Sequence, residues 1–201
     1  VLTGDGEEIP CQFVGLTVGV HPNISFLKDS GIETDKGILV NEKLRTNFSN
    51  IYALGDCAQL RNPLEDRKSI EAVWYTGKMM GETAAATICG QPTDYNPGIW
   101  YNSAKFMDIE YQTYGYVSAQ LKEGEESFYW EAEDGVRSLR IVFESATKSV
   151  VGFNAFGIRL RHQVCDEWLR IRTNVDEVVS NLKKANFNPE FFKKFEKEVI
   201  F

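Results

Sequence analysis

The residues best placed for chemistry lie in one stretch, Thr46-Asn47-Phe48-Ser49-Asn50-Ile51-Tyr52-Ala53-Leu54-Gly55-Asp56. Its second half predicts a compact strand, Ile51-Tyr52-Ala53-Leu54, that stops at Gly55-Asp56 before a loop and a long helix. In open α/β sheets, ligands bind outside the carboxyl ends of the strands. Gly55 has no side chain to hold a ligand off the backbone, and Asp56 supplies an acceptor-only carboxylate suited to sugar hydroxyls. The start of the following helix adds free N–H groups and the positive end of the helix dipole. Gly-Asp alone also marks ordinary turns; the strand-loop-helix context is what points to a ligand site.

Other reactive side chains carry less. Cys11, Cys57, Cys89 and Cys165 are widely spaced, with no CxxC and no Cys/His pair at metal-ligand spacing. They read as small buried hydrophobes in a protein of the reducing cytoplasm. His21 and His162 stand alone and receive neither a metal nor a base assignment. Arg159, Arg161, Arg170 and Arg172 cluster locally, but Asp166 and Glu167 intervene, which predicts a solvated face with ion pairs. No residue is assigned a catalytic role, and no metal ligand is found.

The elements that position these residues follow from patterning. Gly4-Asp5-Gly6 predicts a hairpin turn, and the apolar run Cys11 to Val20 predicts a long strand buried on both faces. His21-Pro22-Asn23 breaks it. A short helix over 24–30, closed by Gly31, leads to a polar turn, Thr34-Asp35-Lys36-Gly37, and a strand Ile38-Leu39-Val40. Ser69 is the expected N-cap of a helix over 70–89, whose apolar face runs Ile70, Val73, Trp74, Gly77, Met80, Gly81, Ala84, Ala85 and Ile88. Gly77 and Gly81 let a backbone or a planar group approach closely. Pro92 to Gly98 has the composition of a linker. Beyond it, strands are expected over 113–118, 127–133, 137–144 and 149–156, with an Asp134-Gly135 hairpin, forming a mainly antiparallel sheet. Three amphipathic helices close the chain: one over 161–171, one on Val175, Val178, Val179 and Leu182, and one capped by Asn188, with Pro189 at its first position and Phe191, Phe192, Phe195 and Val199 inward.

Composition sets outer bounds. The chain has 201 residues, 43% hydrophobic and 12% aromatic, enough apolar surface to offset chain entropy. With 22 basic and 29 acidic residues, its charge of −7 argues against a general nucleic-acid binder. No run of 18 or more apolar residues occurs, so no membrane span is expected.

The Thr46 to Asp56 stretch resembles the second FAD-binding motif of the pyridine nucleotide-disulfide oxidoreductase family: Thr, four residues, an aliphatic-aromatic pair, Ala, any residue, Gly, Asp. Val18-Gly19-Val20-His21-Pro22-Asn23 is similar to the segment where these flavoproteins leave the NAD(P)H domain for the FAD domain. Ser30 to Val40, and Ala72-Val73-Trp74 with the Gly77-to-Gly81 helix, extend the likeness. Residues 101–117, with Lys105 and Asp108-Ile109-Glu110, look like the C-terminal domain of the NADH:rubredoxin and nitrite reductase branch.

The resemblance implies FAD and NAD(P)H as cofactors. It implies that Asp56 accepts hydrogen bonds from the FAD ribityl chain or its phosphate neighbourhood, with Gly55 and the Cys57 backbone bordering the pyrophosphate-ribityl segment. The helix start near Glu71, Ala72 and Val73 would face the pyrimidine edge of the flavin, where a helix N-terminus stabilises the negative charge of the reduced ring. Cys57 itself reads as a tight-packing residue, since redox cysteines of this family lie elsewhere in the protein.

Neither glycine-rich dinucleotide fingerprint, GxGxxG, occurs, and the chain opens at Val1 in mid-hairpin. The expectation is therefore a C-terminal fragment, inactive alone. Residues 1–24 would end an NAD(P)H domain, 25–96 would be the C-terminal part of an FAD domain, and 97–201 a C-terminal interface domain. The fold class is α/β plus α+β: a partial Rossmann-like sheet followed by an antiparallel sheet with helices. The parent would pass electrons from NAD(P)H through FAD to an unidentified redox acceptor. The alternative is a non-catalytic flavin-fold module whose C-terminal domain mediates homodimerisation or partner docking.

Overall fold

A computed structural model describes residues 1–64, 67–187 and 195–199. Two parallel strands, β1 (Ile38–Val40) and β2 (Ala58–Leu60), pair with Ile38 opposite Ala58 and Val40 opposite Leu60. Helix α1 (Trp74–Ile88) follows. A five-stranded antiparallel sheet then forms from β3 (Tyr101–Phe106), β4 (Ile109–Gly115), β5 (Glu125–Glu131), β6 (Ser138–Glu144) and β7 (Val150–Phe156), in the order β3-β4-β7-β6-β5. Helices α2 (His162–Arg170), α3 (Val175–Ser180) and α4 (Leu182–Ala185) complete it. The architecture is the expected mixture of α/β and α+β parts.

Two buried clusters hold these elements. The smaller contains Val40, Leu44, Ala53, Ala58, Met80, Ala84 and Tyr95. The larger is built on alternate strand residues, among them Tyr114, Leu139, Ile141, Phe153 and Ala155, against Cys165, Trp168, Val178 and Leu182 of the helices. Strand alternation puts one sheet face on the helices and turns the other away from them. Phe195 and Val199 are buried in this cluster as their spacing predicted; Asn188, Pro189, Phe191 and Phe192 lie outside the described residues.

Several expectations are corrected. The run Cys11 to Val20 is exposed chain without strand pairing, with Phe13 87% and Val18 92% exposed. A strand needs a hydrogen-bonded neighbour, and no described segment pairs with this one. Only Cys165 of the four free cysteines is buried; Cys57 is half-buried, while Cys11 and Cys89 are exposed. Helix α1 starts four residues later than expected, with Val73 as N-cap in extended geometry and no side-chain capping bond. Its buried positions are Thr76, Met80, Ala84 and Thr87, whereas Trp74 and Ile88 are exposed. The expected helix over 24–30 is a single 3-10 turn, Ser25–Leu27. The linker-like Pro92 to Gly98 is docked through buried Tyr95, whose N–H donates to the Glu42 carbonyl at 2.7 Å. Strand β3 was not anticipated.

Candidate functional site

Ala53 is held by its N–H bond to the Leu44 carbonyl, 3.1 Å, and the chain then turns at Gly55 with φ of +78°. That left-handed geometry favours glycine. The Gly55 N–H points to the Met80 sulfur at 3.4 Å, and a Cβ on Gly77 would stand 3.6 Å from Gly55 Cα. The small-residue approach predicted for Gly77 is thus an approach to Gly55. A Cβ on Gly55 would meet nothing within 4 Å, so its backbone faces open space. A 3-10 turn, Gly55–Cys57, presents Asp56 to solvent. Among the described residues the Asp56 carboxylate makes no hydrogen bond.

The front of the motif has a different task. Thr46 is buried; its hydroxyl donates to the Ile51 carbonyl at 3.1 Å and accepts from the Phe48 N–H at 3.1 Å. Asn47 accepts from the Glu33 N–H at 3.0 Å and donates to the Gly31 carbonyl at 2.8 Å. These bonds close the loop that aims Ile51 to Asp56. Behind the turn, Gly37 is locked in place: a Cβ there would meet the Cys57 carbonyl at 2.8 Å. Buried Gln59 accepts from the Gly37 N–H at 2.9 Å and donates to Asp35 at 3.0 Å, and this bond, with that of the Lys36 backbone, holds the Asp35 carboxyl below its usual range.

Glu71, Ala72 and Val73 immediately precede α1, whose first backbone bond runs from the Gly77 N–H to the Val73 carbonyl. One helical turn therefore separates Val73 from the glycine that touches Gly55, which places both candidate stretches at the same end of α1. The Glu71 carboxylate is not free. Arg67 grips it through two bonds of 2.6 and 2.5 Å, with side chains only 6% and 9% exposed, and donates a further bond to the Gly98 carbonyl at 2.9 Å. Nothing in the sequence pattern singled out Arg67. Its spacing of four from Glu71 was the available signal, but helical spacing was not expected to operate ahead of a helix.

The remaining clusters are structural. Arg159, Arg170 and Arg172 form ion pairs, Arg170 with the interleaved Asp166, and Arg159 and Arg172 with Glu110 and Glu144 of the sheet. His162 lies against the rings of Tyr101 and Tyr114, with centroids 4.3 and 5.6 Å away. Among the described residues, no group of three or more His, Cys, Asp or Glu could hold a metal ion. No described helix is long and apolar enough to cross a membrane.

A parallel strand pair with its glycine turn set on a following helix thus stands beside an antiparallel sheet covered by helices, a mixed α/β and α+β architecture. Residues 1–82 match the family described as Pyridine nucleotide-disulphide oxidoreductase. The chain is 27% identical over 162 residues to a rubredoxin-NAD(+) reductase of Alcanivorax borkumensis, covering 80% of this chain and 39% of that protein. It is 33% identical over 124 residues to an NAD(P)H coenzyme A polysulfide/persulfide reductase of Pyrococcus horikoshii, covering 60% and 28%. The chain thus spans well under half the length of these curated relatives. In fold it is similar to the ferredoxin reductase for the CYP199A2 system of Rhodopseudomonas palustris, with a TM-score of 0.64 over 98% of this chain and 45% of that one, at 19% identity.

Proposed function

We propose that this chain forms one wall of an FAD site in a flavoprotein that passes electrons from NAD(P)H to a redox acceptor. The observation that carries the reading is the open Gly55-Asp56 turn seated on the N-terminal half of α1, within the segment that matches the family. The donor set suits the cofactor: a bare glycine backbone for close approach, a free carboxylate for ribityl hydroxyls, and a helix start for negative charge. When bound, the flavin would supply the hydride and electron transfer that no side chain of this chain provides. Asp56 would accept from hydroxyl donors, and Gly55 and Cys57 would border the same segment through their backbones. Ala72 and Val73 would present the α1 start to the ring, and Glu71, engaged by Arg67, would fix where they stand. Residues 1–24, 25–96 and 97–201 would serve as the end of an NAD(P)H domain, part of an FAD domain and an interface domain. The free thiols accord with the cytoplasm. The parts of both nucleotide sites that carry GxGxxG would come from outside this chain, so turnover by the chain alone is not expected.

A second reading, homodimerisation or partner docking through residues 97–201, is favoured by the β3–β4 hairpin tip, where Phe106, Met107 and Ile109 are 66%, 95% and 53% exposed. The test is flavin retention in the longest natural form of the protein. Asp56→Ala should weaken it by about 10–100-fold, as expected for loss of a charged hydrogen-bond acceptor, and NADH should bleach the visible flavin absorption of the unaltered protein. Flavin-free protein that dimerises through residues 97–201 would sink the first reading and leave the second.

A further inference from the structure

Strand β3 lies at one edge of the five-stranded sheet and pairs on one side only, with β4. The Gly115 N–H donates to the Trp100 carbonyl at 2.7 Å, one place ahead of the Tyr101–Tyr114 pair. Hydrogen-bonded pairs alternate along an antiparallel ladder, so Asn102, Ala104 and Phe106 spend their backbone groups on β4. Tyr101, Ser103 and Lys105 turn theirs outward, and no described strand receives them. Such an edge templates another strand unless charge, proline or a covering element blocks it. β3 contains no proline and a single charge, Lys105. At its end Phe106 and Met107 are 66% and 95% exposed.

The opposite edge of the sheet is guarded. The Ala132 N–H bond to the Arg137 carbonyl, 2.9 Å, fixes the same alternation in β5 and turns its odd-numbered residues outward. Pairing β5 with a second copy of itself about Ser127, Phe128 or Tyr129 would set Glu123 against Glu131, Glu125 against Glu131, or Glu125 against Glu133. Like charges directly opposite destabilise a ladder. β3 carries no such conflict. A two-fold axis at Ser103 sets Lys105 opposite Tyr101, Phe106 opposite Trp100 and Met107 opposite Ile99 of the second copy. The exposed apolar tip of each copy is then covered by apolar residues of the other.

We propose that two copies of this protein join antiparallel through their β3 edges, centred on Ser103, to make one continuous ten-stranded sheet. The occupant follows from the register: the β3 edge accepts its own sequence without charge conflict, whereas the β5 edge rejects its own. A strand pair alone is marginal, and the Phe106–Met107 tip supplies the apolar burial that the pairing lacks. The proposal rests on the homodimer reading above, to which it gives a contact, and it uses none of the residues assigned to the flavin.

The experiment is sedimentation equilibrium of the longest natural form of the protein, followed by cross-linking. The unaltered protein should show a reversible dimer. Ser103→Pro removes an outward N–H and no bond to β4; it should weaken the dimer about 30-fold, the factor for two net hydrogen bonds. Phe106→Lys, which leaves the backbone untouched, should weaken it about tenfold or more through lost apolar burial. Asn102 and Ala104 of opposite copies would form a non-hydrogen-bonded pair with Cα atoms about 4.5 Å apart, within disulfide reach. An equal mixture of Asn102→Cys and Ala104→Cys proteins should therefore yield more disulfide dimer on mild oxidation than either variant alone or the unaltered protein. A monomer at every concentration up to about 1 mM would overturn the proposal and the homodimer reading together. A dimer that neither Ser103→Pro nor Phe106→Lys weakens, or a mixture that cross-links no better than its components, would overturn this contact and leave homodimerisation standing.

Discussion

The Arg67–Glu71 pair provides the most demanding test of how the site is held. Both side chains are almost wholly buried, and the two bonds of 2.6 and 2.5 Å make a bidentate pair. Glu71→Ala leaves a buried guanidinium with the Gly98 carbonyl, at 2.9 Å, as its remaining partner among the described residues. Removing one member of a buried pair costs about 3–5 kcal/mol, because an uncompensated charge stays behind. Against a total stability of roughly 5–15 kcal/mol for a domain, that is a large loss. In urea, with a slope of about 2–3 kcal/mol per molar, the midpoint should fall by about 1.5 M. The double variant Arg67→Met with Glu71→Leu removes both charges and keeps apolar volume, so it should recover to within about 1 kcal/mol of the parent. A Glu71→Ala cost below about 1 kcal/mol, the range of exposed pairs, would show that the pair is solvated and does not hold the site. A double variant no more stable than the single one would refute the reasoning.

Two further outcomes are expected. Gly115 has φ of +62°, and a Cβ there would press into the Val151 carbonyl oxygen, so Gly115→Ala should cost roughly 2–5 kcal/mol; Gly124, at φ of +81° with open space around it, should cost only about 1–2 kcal/mol in the same urea assay. Burial pushes the Tyr95 hydroxyl up to about 12, assisted by the Glu71 charge. Below about pH 10 the phenol is neutral in both folded and unfolded chains; between there and about 12 only the unfolded chain ionises, so stability should fall with rising pH across that window. Tyr95→Phe should flatten this alkaline decline, and urea midpoints measured from pH 9 upward would check it.

How much of this was legible depends on how locally each feature is determined. Strands β5 to β7 and the Asp134-Gly135 hairpin are specified by alternation and turn chemistry within a few residues, and they form with shifts of one or two positions. The α1 start was misplaced because Ser69 is a good cap in isolation, whereas the Arg67–Glu71 pair and the Val73 N–H bond to the Glu71 carbonyl hold 69–73 outside the helix. The apolar run 11–20 is strand-like in composition, but pairing is a non-local property that no count of apolar residues supplies. Strand β3 was hidden because Asn102, Ser103 and Lys105 interrupt its apolar pattern; its half-buried edge position tolerates them.

The candidate site divides along the same line, and the division itself argues for Asp56. Within Thr46 to Asp56, the conspicuous polar residues at the front have structural employment: Thr46 closes its own loop, and Asn47 ties that loop to Gly31 and Glu33. Gly55 is required by its positive φ. Asp56 alone ends the motif with an exposed carboxylate that bonds to none of the described residues. Folding would proceed as well with Asn or Ser at that position, since no fold-level contact depends on the charge. In this stretch Thr46, Asn47 and Tyr52 spend their polar side chains on partners within the fold, whereas the exposed Asp56 carboxylate stays available to a ligand such as the one proposed above. On that argument Asp56→Asn should leave the urea midpoint within about 0.5 kcal/mol of the parent while still weakening retention of a hydroxyl-bearing ligand. A variant that lost stability instead would show that Asp56 has a structural partner, and the ligand reading would lose its principal support.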